Sequence, residues 1–275
     1  MYETSLGNIY IFRFNEERPP SRSPISPIYY DNENMEGEGV MSYLELLATL
    51  GIGSAHPGGF ALTKQLLAHE KLTNESRLLD IGCGTGKTLE YIQQMYDCEL
   101  NGVDIHPVMV EKAKQRFQEK ELNIPIQQGN VEQLTFEDNT FDFILSESVL
   151  FFTSMNRALS ECARVLKKTG SLLGIEMMAL KPLDVFTSEE LTKVYGVNHL
   201  PTEKEWMTTL TNNGFSHMDV LKRGNVQEAR PDESEAPDWM PSAIDDELFS
   251  TLQQHQAFLD IHGSSIGYFV FRAKK

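Results

Sequence analysis

The stretch Leu78-Leu79-Asp80-Ile81-Gly82-Cys83-Gly84-Thr85-Gly86-Lys87-Thr88 decides the fold. An apolar run ends in an acid, three glycines follow at alternate positions, and helical periodicity begins after them. This pattern predicts a strand, a tight turn and a helix start. Glycine has no Cβ, so a ligand can rest against bare backbone. The turn N–H groups and the helix N-terminus add donors and partial positive charge.

Glycine spacing discriminates between ligands. A phosphate-cradling loop needs G-x-x-x-x-G-K-[ST]. Gly86-Lys87-Thr88 supplies the ending, but position 81 is Ile and Gly82 comes one residue too late. A dinucleotide fingerprint needs G-x-G-x-x-G; Gly82 and Gly84 fit it, yet its third glycine position is Lys87. G-x-G-x-G with Asp80 two residues ahead matches neither and resembles motif I of the class I S-adenosylmethionine-dependent methyltransferases. A glycine turn without a ligand is the plainer alternative.

Further segments extend the resemblance in the family's order. Asn101-Gly102-Val103-Asp104-Ile105 reads as a short strand ending in an acid. A carboxylate there is able to accept from both hydroxyls of a ribose. It also suits the start of the following helix, where His106-Pro107 leads into Val110, Ala113 and Phe117. In Gln127-Gln128-Gly129-Asn130-Val131-Glu132, Asn130 stands where the family usually has the Asp that contacts the adenine amino group. A neutral amide oxygen still accepts, though more weakly, and an Asn in a turn is an equal alternative. Asn139-Thr140-Phe141-Asp142-Phe143-Ile144-Leu145-Ser146-Glu147-Ser148 is similar to the family's fourth strand. Arg164-Val165-Leu166-Lys167-Lys168-Thr169-Gly170-Ser171-Leu172-Leu173 is similar to the turn before its fifth, with Lys168-Thr169 in place of Pro-Gly.

The resemblance, strong over 77–178, implies a donor site: Gly82, Gly84 and Gly86 under the methionine and ribose, Asp80 near the methionine amino group, Asp104 on the ribose, and Asn130 with Val131 beside the adenine. Cys83, Ile105 and Ser146 complete the expected set. S-adenosylmethionine is the implied cofactor and S-adenosylhomocysteine the product, with no metal. The implied branch is the small-molecule, ubiquinone- and menaquinone-methyltransferase-like one. The implied fold is α/β: a Rossmann-like, doubly wound, mostly parallel seven-stranded sheet with helices on both faces and an N-terminal helical lid.

Composition bounds the partners. A chain of 275 residues at 40% hydrophobic can bury a full core. Its net charge of −16 disfavours nucleic acid, whose binding rests on Lys and Arg against phosphate. No apolar run approaches a membrane span, and the first 14 residues do not read as a signal peptide. Three cysteines, an odd number without metal spacing, fit a reduced cytoplasm. Oligomeric state is not legible.

The expected organisation is an N-terminal segment with lid helices over 1–70 and a core over 71–275, with insertions at about 180–200 and 225–248. Ile9, Ile11, Phe12 and Phe14 suggest a short strand, and the Pro- and Ser-rich 15–39 suggests irregular chain. Helices are expected over 40–52 and 60–69. The core alternates as strand 77–81, helix 86–97, strand 99–103, helix 107–119, strand 124–128, strand 141–146, helix 154–166 and strand 171–177, which implies a parallel sheet. Thr202-Glu203-Lys204-Glu205 reads as a capping box opening a helix that stops at Gly214. Strands at 215–221 and 267–272 flank a helix at 248–261, and the acidic stretch 228–247 reads as an excursion.

Methyl transfer from a sulfonium needs alignment first and a base only where the nucleophile must lose a proton. On the acceptor side His56, set among glycines, and Glu147, after the fourth strand, are the catalytic candidates; a histidine packed in its turn and a solvated acid are the plainer readings. Tyr29, Tyr30 and Tyr43 suit an aromatic enclosure for a cation, and Phe151 and Phe152 the floor of an apolar pocket, although both sets also suit a core. His106 is a possible neighbour of the adenine. Glu176, Met177 and Met178 end the fifth strand and suit the core. The acceptor is expected to be a small molecule. The alternatives are an RNA or protein methyltransferase and a non-catalytic donor-binding protein.

Overall fold

Alternation of short apolar runs with helical stripes gives a sheet buried on both faces. In the computed structural model, residues 41–229, 238–242 and 246–275 are described. The strand expected near Ile9–Phe14, the irregular stretch 15–39, Tyr29, Tyr30 and most of the acidic segment 228–247 lie outside the described residues.

The two N-terminal helices expected at 40–52 and 60–69 are α1 (Tyr43–Leu50) and α2 (Gly59–Ala68). The core then runs β1 (Arg77–Ile81), α3 (Lys87–Tyr96), β2 (Glu99–Asp104), α4 (Pro107–Glu119), β3 (Ile126–Gln128), β4 (Phe141–Glu147), α5 (Met155–Val165) and β5 (Leu166–Ala179). It closes with α6 (Val185–Tyr195), α7 (Glu203–Asn212), β6 (His217–Asn225), α8 (Asp246–His262) and β7 (Ile266–Lys274). The seven strands lie in the order β3-β2-β1-β4-β5-β7-β6. Pairing is parallel from β3 to β5, and β7 runs antiparallel to both β5 and β6. The order reverses between β1 and β4, so the crevice at their carboxyl ends is where such a sheet holds ligand.

Each sheet face has its own apolar layer. Leu78, Leu145, Leu173 and Val270 pack with Leu66 of α2, Leu89 of α3 and Phe117 of α4. Leu79, Ile144, Leu172 and Phe271 pack with Leu46 of α1, Leu159 of α5, Trp206 of α7 and Phe258 of α8. Trp206 is fully buried, and its indole N–H donates to Met177 O at 3.1 Å.

Most boundaries fall within a few residues of the sequence reading. The capping box at α7 forms as expected, with Thr202 and Glu205 each accepting from the other's backbone N–H. The fifth strand departs from it: β5 starts at Leu166, directly after α5, where a turn was expected. Leu166 pairs with Phe141, and the register then shifts so that Ser171 pairs with Phe143. Extra residues in one strand are absorbed as an irregularity within the ladder, so Lys167–Gly170 belong to the strand.

Candidate functional site

The glycine turn between β1 and α3 is built by left-handed backbone at Gly82 (φ 66°), Gly84 (φ 54°) and Gly86 (φ 75°). The three glycines do different work. A Cβ on Gly82 would lie 2.3 Å from Val149 Cγ2, and one on Gly86 would lie 2.6 Å from Phe117 Cζ. Those two permit close packing. A Cβ on Gly84 would meet nothing within 4 Å among the described residues. Gly84 therefore leaves the bare cradle.

Two acids border that cradle. Asp104 ends β2; its Oδ2 accepts from Gly84 N–H at 2.8 Å and its Oδ1 from His106 N–H at 2.8 Å. One such bond per oxygen leaves further acceptor capacity on each. Burial pushes the Asp104 carboxyl up, opposed by those two N–H donors. Asp80 is 2% exposed and makes no side-chain hydrogen bond among the described residues. Burial, then the charges of Glu147 and Asp104, push its carboxyl well above the usual range. A cation placed there would relieve the repulsion.

Beyond β4, a histidine and two hydroxyls converge on Glu147. Its Oε1 accepts from Thr63 of α2, and its Oε2 from Thr88 of α3 at 2.7 Å. His56 Nε2 lies 3.0 Å from Thr63 Oγ1 and 3.3 Å from Glu147 Oε1, while Nδ1 faces Pro57 O at 3.2 Å. His56 and these hydroxyls hold the Glu147 carboxyl below its usual value against the cost of burial. The two catalytic candidates thus form one buried network. Glu147 is not a solvated loop acid.

On the opposite face of the sheet, Glu176 Oε1 accepts from Ser146 Oγ at 2.6 Å and from Val149 and Leu150 N–H at 3.2 Å each. Its Oε2 is buried without a hydrogen-bond partner among the described residues. Burial pushes this carboxyl up to about 7. Glu176 caps the 3₁₀ turn Leu150–Phe152, the turn preceded by Val149, which rests on Gly82.

The remaining candidates are placed as follows. Cys83 is used internally: its thiol packs in the α3 layer, its N–H donates to Val103 O, and its carbonyl accepts from Gly86 N–H. Ser146 is fully buried and spends its hydroxyl on Glu176. Ile105 is 48% exposed beside Asp104, an apolar surface at the end of β2. Asn130 caps the turn Val131–Gln133, its Oδ1 accepting from Glu132 N–H at 2.8 Å, and Val131 is buried in the core beside it. His106 caps α4, its Nδ1 accepting from Val108 N–H, and its Nε2 reaches Glu45 of α1 at 2.9 Å. Lys112, pushed down to about 8 by burial, donates to Ala48 and Thr49 O at the end of α1.

The outer end of α1 enters an aromatic cluster. Tyr43 packs on Tyr195 (centroids 4.9 Å), His255 (4.8 Å) and Phe152 (6.3 Å). Tyr195 hydroxyl and His255 Nδ1 lie 2.9 Å apart. Burial pushes His255 down to about 4, so it is neutral at pH 7. Sequence reading named Tyr43 and Phe152 but missed Tyr195 and His255, which come from α6 and α8. No local pattern marks them.

The chain is similar to known proteins. A methyltransferase domain model matches residues 79–174. The uncharacterized methyltransferase YodH of Bacillus subtilis (strain 168) is 35% identical over 233 residues, 85% of this chain and 99% of its own length. The demethylmenaquinone methyltransferase of Symbiobacterium thermophilum is 35% identical over 129 residues, 45% of this chain and 50% of its own. The crystal structure of Haemonchus contortus phosphoethanolamine N-methyltransferase 2 in complex with S-adenosyl-L-methionine superposes with a TM-score of 0.67 at 17% identity, covering 84% of this chain and 57% of that one. The chain belongs to the class I S-adenosylmethionine-dependent methyltransferases.

Proposed function

We propose that this methyltransferase acts on a small-molecule acceptor. The observation that carries this reading is the roof over the strand ends. Helix α1 lies against α4 through Glu45–His106 and Lys112, and its buried face joins Ile81, Val131 and Leu150 in one apolar layer. At its outer end the rings of Tyr43, Phe152, Tyr195 and His255 converge. A sheet end covered by a helix and packed rings suits a metabolite better than a polymer, and the charge of −16 supports the same choice.

In this reading Asp104 holds the ribose, Asp80 the methionine ammonium, and Gly82, Gly84 and Gly86 the floor, with Ile105, Asn130 and Val131 beside the adenine. Cys83 and Ser146 act by holding the turn and the β4 end in shape. The bound donor supplies an already activated methyl group, so the protein's work is alignment and exclusion of water. His56 and Glu147 are the acceptor-side pair. Their commitment to each other, Thr63 and Thr88 favours fixing α2 over the donor turn; proton transfer by either would require that network to open. The lid helices before residue 71 and the core from 71 onward form the working division of the chain. Three free cysteines fit a cytoplasmic location. No described helix is long and apolar enough to cross a membrane.

The test is incubation of the purified protein with isotopically labelled donor and, separately, a metabolite extract, total RNA and a protein extract. Label in a small molecule is the expected result. Label confined to RNA or protein would contradict the reading, and donor binding without any transfer to the three pools would favour a sensor.

A further inference from the structure

A short strap from late in the chain is fastened across the lid and the donor turn. Gly53 N–H donates to Asp238 O at 3.1 Å, Met240 N–H to Leu50 O at 3.2 Å and Gly51 O at 3.1 Å, and Ser242 N–H to Thr49 O at 2.8 Å. A helix end leaves its last carbonyls without intrahelical partners. Here the strap and Lys112 take up those of α1.

The strap also brings a charge to a partly buried arginine. Arg116 of α4, with its side chain 11% exposed, sends Nη2 to both carboxylate oxygens of Asp238 at 2.8 and 2.7 Å. Its Nη1 donates to Glu90 of α3 at 3.0 Å, and its Nε to Thr85 O at 2.8 Å. Thr85 lies between Gly84 and Gly86, so one guanidinium touches the donor turn, α3 and the strap. The fit at the lid is tight: a Cβ on Gly53 would lie 2.2 Å from Asp238 Oδ2. Planar donors in a fixed fork suit this several-sided role, which a lysine would not fill.

We propose that Arg116 and Asp238 are positioning residues of the donor site: they clasp the lid onto the Gly84–Gly86 turn, and clasp closure and donor binding favour one another. This rests on the donor reading of that turn. In this proposal a ligand seated between the turn and α1 leaves as α1 lifts. Lifting α1 breaks either the strap's hydrogen bonds to Thr49, Leu50, Gly51 and Gly53 or the Arg116–Asp238 pair. By linkage, whatever the clasp contributes to holding the ligand, the ligand returns to the clasp.

The experiment uses the full chain and S-adenosylhomocysteine as probe. Calorimetry first establishes its binding; failure to bind would sink the donor reading and the clasp together. Hydrogen exchange is then followed with and without the probe. The amides of Gly53, Met240 and Ser242 are expected to exchange about tenfold more slowly when it is bound, within the usual range of coupling between sites. Unchanged exchange there, with binding intact, would overturn the clasp alone. In stopped-flow displacement, Asp238→Asn is expected to release the probe about tenfold faster than wild type, again within that range. Release at the wild-type rate from a variant with a normal melting transition would contradict the proposal. If the variant does not fold, the exchange measurement on the wild-type chain decides.

Discussion

The carboxyl ends of β1 and β2 differ from those of β4 and β5. All four strands end in or near an acid. On the β1–β2 side Asp80 makes no side-chain hydrogen bond among the described residues, Asp104 keeps acceptor capacity, and Gly84 leaves space. On the β4–β5 side Glu147 and Glu176 gather donors from within the protein. Binding capacity is kept where it is unspent, and shape is kept where it is spent. A second contrast lies within the second pair. Glu147 pairs in register with Ile175, so Glu147 and Glu176 face opposite sides of the sheet. One meets His56 and two hydroxyls, the other a serine and backbone amides, and their carboxyl groups shift in opposite directions.

The largest expected effect tests whether Glu147 is structural. Glu147→Ala strips Thr63, Thr88 and His56 of their shared partner. Loss of one member of a buried pair costs about 3–5 kcal/mol, and urea unfolding should show a loss of this order. A loss below about 1 kcal/mol, the range of exposed pairs, would return Glu147 to the acids with capacity to spare.

The pH dependence of stability should separate Glu147 from Glu176. Glu176 has its folded carboxyl raised from 4.5 to about 7, so the folded state binds the proton more tightly than the unfolded. Its contribution to stability falls as pH rises from 4.5 to about 7, by about 3 kcal/mol at 1.36 per pH unit. Glu147 is lowered, so its contribution is present above 4.5 and is lost as pH falls through its folded value. Glu176→Gln should flatten the decline across pH 5–7 in urea midpoints measured against pH. An unaltered decline would remove Glu176 from the account.

The glycines sharpen the same contrast. Gly82→Ala forces a methyl into Val149 in left-handed backbone, adding about 1–3 kcal/mol of overpacking to the conformational cost of about 1–2 kcal/mol. Gly84→Ala bears only the second. Gly82→Ala should lower the melting temperature more, and Gly84→Ala should weaken donor affinity more for a given loss of stability. The reverse ranking would mean that the open space at Gly84 is not the seat.

What was legible in the sequence was local. The turn 82–86, the acid ending β2, the α7 capping box and the strand–helix alternation each depend on residues within a few positions of one another. What was not legible depends on distant partners. Cys83 looks like part of a ligand loop until Gly102 and α3 close on its thiol. Ser146 looks available until Glu176 arrives from the neighbouring strand. His56 and Glu147 were both singled out, but their union needs α2 packed on the sheet. Arg116 and Asp238, 122 positions apart, carry no signal at either end.

The seat itself is tested most directly by calorimetric titration of S-adenosylhomocysteine into wild-type protein and Asp104→Ala. In the proposed reading the variant removes the carboxylate that takes the two ribose hydroxyls, each charged bond worth about 1.5–3 kcal/mol, so affinity should fall by more than about tenfold. Equal affinity in the two proteins would show that the donor does not sit on the end of β2.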